Sequence, residues 1–85
     1  MNAMEFHIQK RFPDKKESIE WLIMEKPEFL ALCEDYDVCV NALHYWSKSE
    51  ASEAETRVNE YRTIARELEE EIYQALEAMN PQRLD

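Results

Sequence analysis

Residues 50–79 read EASEAETRVNEYRTIARELEEEIYQALEAM, and their spacing decides the fold. Ala51, Ala54, Val58, Tyr61, Ala65, Leu68, Ile72, Ala75 and Met79 recur at strict three-four spacing. A helix turns about 100° per residue, so these side chains form one seam on one face. The positions between them are mostly charged or polar and suit solvent. The pattern predicts a helix over about 50–79. Ser52 followed by Glu55 offers a capping box near its start. Asn80 and Pro81 end it, and residues 81–85 read as a frayed tail.

The stretch before it, residues 27–47, predicts a second helix. Phe29, Leu32, Tyr36, Cys39, Leu43 and Trp46 repeat every three or four residues as a heptad seam, widened by Cys33 and Val40. Ala31, Val38 and Tyr45 stand seven apart and make a second apolar line. In residues 29–46, 13 of 18 side chains are apolar, so this helix needs cover from two directions. The seam breaks at Ser47-Lys48-Ser49. A connector that short makes the two long helices antiparallel neighbours. Pro27 suits the first position of the second helix and ends the element before it. That earlier helix should run over about 14–26, with Ile19, Leu22 and Ile23 as its apolar stripe and Asp14 as N-cap with Glu17 three residues on. Residues 5–12, EFHIQKRF, alternate weakly and read as part of an extended arm over 1–13, anchored by Phe6, Ile8 and Phe12. Met1, Asn2 and Ala3 precede a second Met and have the look of a cloning remnant.

The expected fold class is therefore all-α. A short first helix precedes an antiparallel helical hairpin within one helical domain over 14–80. The absence of glycine fits this, because turns at positive φ are left to Asn and Asp. An 85-residue chain makes a thin core, and oligomerisation is a common remedy. The first helix has too few apolar residues to cover the whole second line. A homodimer forming a four-helix bundle would cover it, with Val38, Tyr45 and Trp46 at the contact. Another helical protein is the competing partner.

Charge narrows the partners. The formal net charge is −9, which sets the chain against polyanionic nucleic acid. Residues 50–79 hold nine acids and three bases, including the run Glu67, Glu69, Glu70 and Glu71. Lys10, Arg11, Lys15 and Lys16 form a basic cluster near the other end. It reads either as a solvated arm or as a clasp onto the acidic third helix of a partner chain. No stretch approaches the roughly 18–20 apolar residues of a membrane span, and no signal-peptide pattern opens the chain. Cys33 and Cys39 on one helix would stand about 9 Å apart along its axis, too far for a disulfide. Two reduced, buried thiols suit the cytoplasm.

Glu34, Asp37, Asn41 and His44, four of the five polar residues in 29–46, fall on one stripe. Two readings stay open: a solvated polar face, or a divalent-cation site built on Glu34, Asp37 and His44 with help from another element. No cofactor is implied by the spacing itself. Glu17-x-x-Glu20 followed by Glu34-x-x-Asp37 resembles the paired acidic motifs of the all-helical nucleotide pyrophosphohydrolases of the MazG type. That resemblance implies magnesium held by these acids and water activated against a nucleoside triphosphate. Cys33, Cys39 and His44 lie too far apart along one helix to converge on zinc.

Overall fold

The computed structural model describes residues 6–79. Among them 86% are helical and none forms a strand, so the chain is all-α. The elements are α1 (His7–Arg11), a 3₁₀ turn (Pro13–Lys15), α2 (Lys16–Glu25), α3 (Pro27–Ser47) and α4 (Ala54–Ala78). The expected cloning remnant at 1–3, the helix stop at Asn80 and Pro81 and the tail 81–85 lie outside the described residues.

α3 begins and ends where its sequence predicts. Pro27 takes the first helical position, where its missing N–H costs nothing. Lys26, the residue before it, is extended (φ −131°, ψ 107°), and its N–H closes α2 on the Leu22 carbonyl at 2.8 Å.

α4 starts later than expected, at Ala54 rather than about 50. Ser52 does not cap it; Glu53 is the N-cap and makes no side-chain cap bond. The connector uses Ser49 instead, whose Oγ accepts the Ala51 N–H at 3.1 Å. Ala51 is consequently exposed and outside the seam. No described residue has positive φ, so the connector closes without the conformation that glycine supplies elsewhere.

The two long helices run in opposite senses. Phe29 and Leu32 line a hollow with Ala75 and Met79, Tyr36 meets Glu69, and Cys39 meets Tyr61. Further on, Trp46 lies with Val58 around a hollow at the connector. The core is built from Phe29, Cys33, Tyr36 and Cys39 of α3 against Ala65, Ile72 and Leu76 of α4, with Ile19 and Leu22 of α2 and Ile8 of α1 closing one side.

Residues 7–11 form a helix where an extended arm was expected. Gln9 explains it: its Oε1 accepts the Phe6 N–H at 2.7 Å while its own N–H bonds the Phe6 carbonyl at 3.0 Å. Phe6, Ile8 and Gln9 are buried by this turn. Asp14 likewise does not cap α2. It sits inside the 3₁₀ turn that Pro13 initiates, and Lys15 takes the N-cap position without a side-chain bond.

Candidate interaction surface

The polar stripe of α3 has a partner within the chain. Asp37 Oδ1 accepts the backbone N–H of His7 at 2.8 Å. His7 is the first residue of α1, so this carboxylate satisfies one of the donors a helix start leaves open. The His7 Nε2 atom lies 3.3 Å from Asn41 Oδ1, and the His7 and His44 rings meet edge-on at 6.4 Å. Three of the four stripe residues thus hold the start of α1. Glu34 remains exposed, as do Glu17 and Glu20 on α2. Among the described residues no three His, Cys, Asp or Glu side chains gather in a way that could hold a metal ion.

The basic cluster clasps the acidic helix, and it does so in the same molecule. Arg11 Nε lies 3.3 Å from Glu69 Oε2, and Lys15 Nζ lies 3.8 Å from Glu77. Between them Phe12 packs on Tyr73 with ring centroids 5.9 Å apart. Glu69 is accordingly a joint rather than solvated surface, since Tyr36 also donates its hydroxyl to Glu69 Oε2 at 2.5 Å. Burial, and then this bond to a carboxylate, push the Tyr36 hydroxyl up from its ordinary range.

Both cysteines are free thiols in the core. Burial, and then the Asp37 and Glu34 carboxylates, push Cys33 up to about 12. Cys39 is raised by burial and donates its S–H to the Tyr61 carbonyl at 3.2 Å. Each stays protonated near neutrality, and a protonated thiol is a poor nucleophile.

The remaining feature is an open apolar face. α1 and the 3₁₀ turn lie along one side of the α3–α4 pair; the Asp37, Glu69 and Glu77 contacts mark that side. On the opposite side Val38 and Tyr45 are each 66% exposed, and Ile64 is 43% exposed. The first helices therefore do not cover the second apolar line of α3. A hollow of about 300 Å³ opens there, lined by Asp35, Val38, Cys39, Tyr61, Ile64 and Leu68. Tyr45 stacks edge-on against Trp46, with ring centroids 5.0 Å apart. Trp46 is half-buried, shared between the seam and this face.

Ile64 and Leu68 of α4 belong to this surface but were not among the contact residues read from sequence. Ile64 stands one position before the seam residue Ala65, a large apolar side chain beside the stripe. That position was a signal for it.

Compared with family models, curated proteins and solved structures, the chain gives no match. No helix among the described residues is long and apolar enough to cross a membrane.

Proposed function

We propose that this chain is a protein-interaction module that works by self-association. Two copies pair their α3–α4 hairpins through the open face and form a four-helix bundle. The single observation that carries this reading is the uncovered apolar strip of Val38, Tyr45 and Ile64 on the side away from α1 and the 3₁₀ turn. Exposed leucines or tyrosines standing singly need no explanation, but a strip that continues across two helices around a shared hollow marks a docking surface. The net charge of −9 sets the module apart from nucleic-acid binders. A reducing compartment such as the cytoplasm suits its two free thiols. Sedimentation equilibrium over micromolar concentrations tests the reading. The expected mass rises from 10.2 kDa toward twice that value as concentration increases. A mass fixed at the single-chain value removes self-association.

A further inference from the structure

The open face carries two strips with the same construction. On α3, Ala31, Val38 and Tyr45 are seven apart; on α4, Arg57, Ile64 and Glu71 are seven apart. Seven residues turn about 700°, only about 20° short of two full turns, so each strip keeps to one line about 21 Å long. All six residues are exposed. Their midpoints lie at one level of the fold, because Val38 and Ile64 line the same hollow and the neighbouring Cys39 bonds Tyr61 across it.

We infer that this face is self-complementary about a two-fold axis that lies in the contact plane and passes Val38 and Ile64. The inference rests on the self-association proposed above and gives it a register. Such an axis lays α3 antiparallel on the partner's α3, and α4 antiparallel on the partner's α4. Each residue then meets the one equally far beyond the midpoint. Val38 meets Val38 of the partner subunit, and Ile64 meets Ile64 of the partner subunit. Ala31 lies under Tyr45 of the partner subunit, a small side chain opposite a large one at both ends. Arg57 faces Glu71 of the partner subunit, opposite charges again at both ends. A two-fold axis running along the helices would instead lay α3 on the partner's α4, setting Tyr45 over Arg57 of the partner subunit and Ala31 under Glu71 of the partner subunit, which pairs neither the small side chain with the large one nor the two charges. Arg57 already bonds Glu60 at 3.0 Å, but both are half-exposed and a guanidinium has five donors, enough for a second carboxylate. Shape and charge thus select a second copy of this chain as the occupant and one register for it.

Cross-linking in the full chain tests the register. Val38→Cys places a thiol on the axis, within disulfide reach of its own copy. Ala31→Cys places it about 21 Å from its copy along the helix. Wild type, with two buried thiols, is the control. On mild oxidation Val38→Cys is expected to give covalent dimer and Ala31→Cys to remain single chains, while Ala31→Cys with Tyr45→Cys cross-links again. Covalent dimer from Ala31→Cys alone, or none from Val38→Cys in a chain that sediments as a dimer, overturns the register and leaves self-association standing. A wild-type chain that stays monomeric overturns both. A second arm uses charge. Arg57→Glu should weaken the dimer about tenfold, and adding Glu71→Arg should restore it. An unchanged dimer in Arg57→Glu removes the ion pair and with it the register. All these positions are exposed, and circular dichroism checks that each variant stays folded.

Discussion

The Tyr36 hydroxyl donates to Glu69 Oε2 at 2.5 Å, and Arg11 reaches the same oxygen from α1. One carboxylate therefore ties α3, α4 and α1 together. Tyr36 is buried, so its phenol has no water to turn to if Glu69 is lost. Hydrogen bonds to a charged group are worth more than neutral ones. Tyr36→Phe is expected to cost about 1–2 kcal/mol in urea unfolding. Arg11→Ala should cost less, below about 1 kcal/mol, because that partner is half-exposed. Equal losses would mean that the ion pair holds the joint as much as the phenol does.

Alkaline pH should unfold the chain in a defined window. Cys33 has an ordinary value of 9.0 when unfolded and about 12 when folded. Tyr36 and Cys39 are raised in the same direction. Each raised group adds stability below its unfolded value. Above that value the unfolded chain releases protons that the folded chain retains. Stability is therefore expected to hold to about pH 8 and to fall from about pH 9 upward. Cys33→Ala should flatten part of that slope whatever it does to stability at pH 7. An unchanged slope would place the loss on other groups.

Asp37 should matter locally. Its carboxylate accepts the first N–H of α1, and the five-residue helix has less than two turns of its own hydrogen bonds. Asp37→Ala is expected to cost about 0.5–2 kcal/mol, as loss of a cap does. The effect should appear first as faster hydrogen exchange over residues 7–11, with α3 and α4 little changed. Protection lost evenly along the chain would refute a local role.

These contacts mark how far the sequence could be read. A long amphipathic helix declares itself because its period repeats, and the seam from Ala54 to Met79 lies buried or half-buried as its spacing requires. Leu76 escaped that strict register although it is fully buried, because it sits at i+4 from Ile72 beside Ala75. α1 was not legible: five residues hold too little of a period, and its start is satisfied by Asp37, 30 positions away. The capping patterns at Asp14 and Ser52 failed for a local reason. Pro13 and the Ser49 turn already organise the chain there. The exposed line of Val38 and Tyr45 followed from seven-residue spacing alone. The use of Asp37, Asn41 and His44 by His7 did not, since no local pattern joins them.

The core should respond quite differently from the open face. Ile72 and Leu76 are fully buried between α3 and α4. Ile72→Ala removes apolar contacts on every side and leaves a cavity, so a loss of about 2–5 kcal/mol is expected. In a thin core that is a large share of the total stability of a domain, typically about 5–15 kcal/mol. A thermal melt unchanged from wild type would contradict the packing described for α4.

Tyr45→Glu separates assembly from folding. Tyr45 is 66% exposed in the single chain, so a carboxylate there stays in water and the monomer should melt much as wild type does. In the proposed dimer the same side chain lies over Ala31 of the partner subunit. A carboxylate in that contact loses water and gains no partner, a cost that weakens association. Glu34 of the partner subunit and Asp35 of the partner subunit, one turn from that Ala31, add like charge. The expected outcome is a dimer shifted strongly toward monomer in sedimentation, with helix content unchanged by circular dichroism. Each copy carries −9, so raising the salt should strengthen wild-type association by screening the repulsion between copies. Salt should not rescue Tyr45→Glu fully, because screening does not remove the desolvation cost. A Tyr45→Glu chain that assembles like wild type would place the contact elsewhere on the molecule and leave the fold intact.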